Sequence, residues 1–271
     1  MTADGLDAVP LWYHTLELPG GIVTPGWFDL RGVVDRLPWP DVRGKRCLDV
    51  GTYDGFYAFE LERRGAADVL ATDIPDHENW DWPAAARARG GAGLAALAGE
   101  KGRGFELARA ALGSSVRKEQ VSAYDLDPSL VGDFDVVVCG SLLLHLRDPV
   151  RALEAIGSVC TEAFMSVEAI SLPLTLLWGR RPAAELSGDD NVCQWWTANT
   201  AGHRRLLETA GFRVERSVGP FSEPFGSGHP SRRDGRRSAR AVAVGLARRA
   251  FTGSNGVPHA AVLARPQHPP A

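Results

Sequence analysis

Five residues of this 271-residue chain have types and a spacing that could do chemistry together: Asp49, Gly51, Thr52, Gly55 and Asp73. The first four fall in the run Asp49-x-Gly51-x-x-x-Gly55, between one short apolar stretch and an amphipathic one, and Asp73 ends a second apolar stretch. Glycines after a strand let the backbone come close to a nucleotide-like ligand. An acid at the tip of the next strand can accept hydrogen bonds from two ribose hydroxyls. A dinucleotide would want glycines two apart to make room for its pyrophosphate, but Tyr53 and Phe56 stand in this loop. Asp49, inside the first strand, is a poor neighbour for a diphosphate and a good one for a cationic amino-acid group. Three further side chains, His145, Glu168 and His14, could accept a proton near the same cleft.

These residues need strands to present them. Apolar runs predict strands over residues 46–50, 69–73, 116–121, 134–139, 164–169, 212–217 and 260–264. Helical patterns separate most of them, as in 56–64, where Phe56 and Phe59 share a face and Gly65 stands at a C-cap position. The expected fold is α/β: a doubly wound, mostly parallel seven-stranded sheet with helices on both faces. Residues 1–40, rich in aromatics and turn formers, form an N-terminal cap segment, and residues 41–271 form the domain. Insertions are expected at about 75–103, 171–198 and 218–256. The first two leave the carboxyl ends of strands, where such sheets bind ligands, so lids are expected there.

Composition narrows the function. The net charge of -3 gives no global electrostatic case for binding nucleic acid or membrane. Cys47, Cys139, Cys160 and Cys193 show no CxxC spacing and read as buried thiols in a reducing compartment. No apolar run is long enough to span a bilayer, and no basic segment precedes an apolar one at the N-terminus. A cytoplasmic protein is expected.

The run from Gly51 to Gly65, G-T-Y-D-G-F-Y-A-F-E-L-E-R-R-G, resembles the class I S-adenosylmethionine-dependent methyltransferases. The segment from Phe134 to Pro149, with its H-L-x-D-P ending, is similar to that family's fourth motif. The elements W-Y-H, T-P-G, D-G-F-x-A-F-E and W-W-x-x-N further resemble an actinobacterial branch grouped with the tRNA wobble-uridine carboxymethyltransferases. Two departures stand out. Tyr53 occupies a loop position that is usually Gly, and only about forty residues precede the first strand, where the tRNA-modifying enzymes carry an additional helical region.

The resemblance implies S-adenosylmethionine as cofactor. Asp49, Gly51, Thr52, Tyr53 and Gly55 would surround its methionine end, Asp73 would hold the ribose, and Ile74, Ala123 and Tyr124 would lie by the adenine. Gly140, Ser141 and Leu142 would face the sulfonium. Trp195, Trp196 and Asn199 resemble an acceptor-pocket element. The expected reaction is methylation of a small-molecule hydroxyl, of a sugar or secondary metabolite, with His145, Glu168 or His14 as base. A hard divalent ion held by His145, Glu168, Asp189 and Asp190 is an alternative way to acidify a diol, but their spacing forms no recognised metal motif and none is expected. A tRNA-modifying enzyme using the arginines between Arg232 and Arg249, and a cofactor-binding protein without catalysis, remain open alternatives.

Overall fold

The computed structural model describes residues 3–90, 97, 99–189, 193–230, 249–254 and 256–267. Seven strands form one sheet: β1 (Arg46–Val50), β2 (Asp68–Asp73), β3 (Arg117–Gln120), β4 (Phe134–Gly140), β5 (Cys160–Ala169), β6 (Phe212–Pro224) and β7 (Gly256–Pro266). Their order is β6-β7-β5-β4-β1-β2-β3. The first five strands pair in parallel, while β7 runs antiparallel to both β5 and β6. The central strands are nearly continuous apolar runs because both of their faces are covered, as a parallel sheet requires. Cys47, Leu48, Val136, Val137 and Val138 are all buried.

One face is covered by helix α1 (Phe56–Arg63) and α2 (Arg103–Leu112), the other by α3 (Pro149–Val159) and α4 (Thr200–Thr209). Gly55 starts α1 with φ +94°, and a Cβ there would sit 2.4 Å from the Phe59 ring. Only glycine meets both conditions. Asp148 caps α3 by accepting from Arg151 N–H at 3.1 Å, with Pro149 in the first turn.

The N-terminal segment is part of the core rather than an appendage. Trp12, Leu16, Phe28, Leu30, Val34 and Leu37 are buried in the same cluster as Phe56, Phe59 and Phe105. Burying each such side chain contributes roughly 1.5–3 kcal/mol, so this segment is held firmly over the strand tips. The 171–198 insertion folds as a short helix (Leu172–Leu177) and a hairpin pairing Ala184–Asp189 with Gln194–Ala198.

Several boundaries differ from the sequence reading. The last insertion begins after Pro224 rather than at 218, because β6 continues past a register shift between Val218 and Phe221. Strand β5 begins at Cys160, four residues earlier than expected, directly at the end of α3. Strand β3 is shorter than expected at both ends and half-exposed at the sheet edge, where pairing has only one partner.

Candidate functional site

A cavity of about 340 Å³ opens over the carboxyl ends of β1, β2 and β4, beneath the N-terminal segment. This is where a doubly wound sheet reverses strand order and binds ligands. Gly51, with φ +76°, turns the chain out of β1, and a Cβ there would fall 2.9 Å from Leu142 Cδ2. Tyr53 follows with φ +49°, a left-handed conformation that costs a non-glycine residue energy. Its N–H donates to Asp73 Oδ2 at 2.9 Å, its hydroxyl lies 3.2 Å from His77 Nε2, and its ring rests 5.6 Å from that of Tyr13. These contacts pin the strained turn and aim the ring at the cavity.

Asp73 lines the cavity with Ile74, Ala123 and Tyr124. Its Oδ1 accepts from Ile74 N–H at 2.8 Å and is ion-paired with Lys101. Lys101 is buried and also donates to Ile74 O at 3.0 Å. Tyr124 donates its hydroxyl to Asp81 Oδ2 at 2.6 Å.

The other end of the cavity holds two buried acid–histidine pairs. His14 Nδ1 lies 2.6 Å from Asp54 Oδ1, and His14 N–H donates to Asp54 Oδ2 at 2.6 Å. Burial opposes charge on His14, but the Asp54 carboxylate outweighs it and holds the imidazole above its ordinary pKa. His259 Nδ1 lies 3.0 Å from Val257 O and its Nε2 2.6 Å from Glu223 Oε2. Val257 O takes a proton from Nδ1, and the Glu223 carboxylate favours a second proton on Nε2. Burial works against this imidazolium and Glu223 outweighs burial, raising the His259 pKa while its own is lowered. Ser141, also left-handed at φ +52°, places its Oγ 3.0 Å from His259 Nε2 at the cavity wall.

The sequence-predicted residues divide around this cavity. Gly51, Tyr53, Asp73, Ile74, Ala123, Tyr124, Gly140, Ser141, Leu142, His14 and His145 line it. Asp49, Thr52 and Gly55 lie behind the wall. Asp49 is buried under α1, where it accepts Ala58 N–H at 3.1 Å and burial pushes its pKa up to about 7. Glu168 does not face the cavity as expected. It accepts Leu142 N–H and Leu143 N–H at 3.3 and 3.2 Å, supporting the turn after β4, and burial pushes it up to about 8. His145 keeps Nδ1 2.9 Å from Cys193 O and its ring 5.5 Å from that of Trp80.

Trp195, Trp196 and Asn199 are structural rather than cavity residues. Trp195 Nε1 donates to Asp81 O and Trp196 Nε1 to Arg147 O, tying the hairpin to the loops beside it. Asn199 caps α4 through Gly202 N–H at 2.7 Å and spends its amide on the carbonyls of Leu174, Trp178 and Arg181. That leaves no hydrogen bond for a ligand.

Asp54, Lys101, Glu223 and His259 were missed by sequence reasoning. Asp54 sits inside the glycine loop, so its position was a signal. The other three carry none, being brought in from distant strands and loops. All four cysteines are buried, and burial pushes Cys47 and Cys160 up to about 12. Among the described residues no group of three His, Cys, Asp or Glu could hold a metal, and no helix is long and apolar enough to cross a membrane. Asp190 and the arginines from Arg232 to Arg240 lie outside the described residues, as does the Asp189 side chain.

No family model matches the chain. Over 123 residues it is 29% identical to the ubiquinone biosynthesis O-methyltransferase of Neisseria meningitidis serogroup C (strain 053442), spanning 44% of this chain and 41% of the relative. Among solved structures, it is similar to the methyltransferase bound to the Trm112 activator of Haloferax volcanii (TM-score 0.52, 16% identity, 86% of each chain). It is also similar to the Burkholderia thailandensis 1,6-didemethyltoxoflavin-N1-methyltransferase with bound S-adenosylhomocysteine (TM-score 0.50, 15% identity, 83% of this chain and 72% of that one). A third likeness is to the [4+2]-cyclase SpnF (TM-score 0.50, 18% identity, 84% of this chain and 77% of that one). The fold is the Rossmann-like fold of class I S-adenosylmethionine-dependent methyltransferases. A cyclase on the same fold means that the reaction must be argued from the site.

Proposed function

We propose that the chain is an S-adenosylmethionine-dependent methyltransferase acting on a hydroxyl of a small molecule. The observation that carries this reading is a cavity lined by the Gly51 turn, by Asp73 and by His14, with Asp54 of the same glycine loop paired to His14 behind the wall. The residues present fit the cofactor. Among the described residues Asp73 Oδ2 takes the Tyr53 N–H alone and so keeps acceptor capacity, and Gly51 and Gly140 line the same cavity. Asp73 would hold the ribose, Ile74, Ala123 and Tyr124 would border the adenine, and Gly51, Gly140, Ser141 and Leu142 would lie along the methionine end.

When bound, the cofactor supplies an electrophilic methyl group whose C–S bond electrons stay on sulfur as the acceptor oxygen bonds to carbon. The chain's own residues orient the acceptor, exclude water and manage one proton. His14 is the base. Asp54 on Nδ1 fixes the tautomer, so Nε2 is the nitrogen that can take the acceptor's proton. The name of the Neisseria relative, an O-methyltransferase, agrees with a hydroxyl acceptor. Small-molecule chemistry is further supported by the concave, mainly apolar cavity under the N-terminal segment.

Calorimetry with S-adenosylhomocysteine tests the cofactor reading directly. Micromolar binding that weakens when Asp73 is replaced is expected. No binding by the wild-type protein would sink the proposal.

A further inference from the structure

The cavity wall next to His14 is aromatic. Tyr13, Trp27, Phe28 and His229 line it together. Their rings contact one another, Tyr13 with Phe28 at 5.0 Å, Phe28 with His229 at 5.5 Å, and Trp27 with His229 at 5.8 Å between centroids. Tyr13 and His14 are edge to face at 4.8 Å, so the aromatic wall and the proton acceptor are adjacent along the chain and in space. The backbone fixes this arrangement, with Trp27 N–H on Trp12 O and Phe28 N–H on Tyr13 O, both at 2.9 Å. An aromatic lining favours a planar ring over a puckered or strongly hydrated one.

The second argument is proton affinity. A histidine starts near pKa 6.5, and a phenol, like tyrosine, near 10. Transfer is then uphill by roughly 3–4 pK units, and by less here because Asp54 raises His14. An aliphatic hydroxyl is a much weaker acid than a phenol, so the gap is far wider. His14, paired with a carboxylate through Nδ1, is closer in proton affinity to a phenol than to a sugar hydroxyl.

We propose that the acceptor is a phenol: an aromatic ring held against Tyr13, Trp27 and Phe28, whose hydroxyl gives its proton to His14 Nε2. This rests on the methyltransferase reading and narrows its substrate class.

The probe is 4-nitrophenol, whose phenolate absorbs in the visible, added to protein saturated with S-adenosylhomocysteine. Cyclohexanol and methyl glucoside are the non-aromatic controls in calorimetry. Expected are phenol binding at least tenfold tighter than either control and a larger ionised fraction of bound than of free phenol at the same pH. Trp27→Leu should weaken phenol binding fivefold or more with S-adenosylhomocysteine affinity unchanged, and Asp54→Asn should remove the extra ionisation. Equal binding of cyclohexanol or the glucoside overturns the proposal, as does phenol binding with no added ionisation. The wild-type comparison decides even if a variant misfolds. Failure of S-adenosylhomocysteine itself to bind would instead overturn the methyltransferase reading beneath it.

Discussion

The two ends of the cavity are assembled in different ways. The nucleoside end is local: Gly51 and Tyr53 follow β1, Asp73 and Ile74 end β2, and Ala123 and Tyr124 follow β3, all tips of neighbouring parallel strands. The acceptor end is a convergence of distant segments. His14 meets Asp54 across 40 residues, and Ser141 meets His259 across 118. A common fold supplies the first end by its strand order, whereas the second is particular to the segments packed over the sheet. Likeness at the level of fold therefore speaks to the strand order and leaves both ends to be argued from geometry.

That contrast can be tested by substitutions that should affect one end and spare the other. The largest effect is expected for Asp54→Asn, which should lower turnover on a phenol acceptor by about 10²–10³ while leaving S-adenosylhomocysteine affinity within about twofold. The pH profile adds a signed check. His14 must be neutral to act as a base, and Asp54 holds its pKa above the ordinary value, so wild-type activity rises only above that raised pKa. Removing the carboxylate should move the acid limb to lower pH. A limb that stays in place would assign it to another group.

Asp73→Ala should weaken S-adenosylhomocysteine by about 1–3 kcal/mol through lost ribose hydrogen bonds. Calorimetry showing unchanged affinity would dissolve the distinction between the two ends. Asn199→Ala should cost about 1–2 kcal/mol in unfolding free energy through loss of the α4 cap and its carbonyl partners. Ligand affinity in that variant should not change, and a selective loss of acceptor binding would return Asn199 to the cavity.

The smallest effect is expected at Lys101, whose ammonium is buried against Asp73 and takes up part of the carboxylate that a ribose would use. Lys101→Met leaves Asp73 unpaired in the free protein. It should tighten S-adenosylhomocysteine by about threefold, on the order of 0.7 kcal/mol. Weaker binding would instead make Lys101 a ligand contact.

Much of the fold was legible in the chain, because parallel strands covered on both faces must be short apolar runs and the turns after them need glycine. The run 46–50 is strand β1 residue for residue, and the helix after Gly55 starts where the pattern put it. The site was legible only where its residues are near one another in sequence. Asp49 illustrates the limit: its place in the strand was read correctly, but its side chain turns under α1 to meet Ala58 N–H. Glu168 ends β5 as expected, yet two backbone N–H groups of the turn after β4 claim its carboxylate. Trp195 and Trp196 suggested a binding surface and instead anchor a hairpin through their indole N–H groups.

By itself, then, the sequence determined the strand order's raw material, the glycine turn and the acid at the tip of β2, since hydrophobic period and turn chemistry are properties of neighbouring residues. Only the tertiary structure decided which side chains share the cavity. His14 became paired with a carboxylate because the N-terminal segment packs over α1 and brings it to Asp54. His259 meets a carboxylate because β6 and β7 pair in the register that sets Glu223 opposite Val257. Burial then forces each charge to find its counter-charge, a condition that no local stretch of sequence can express.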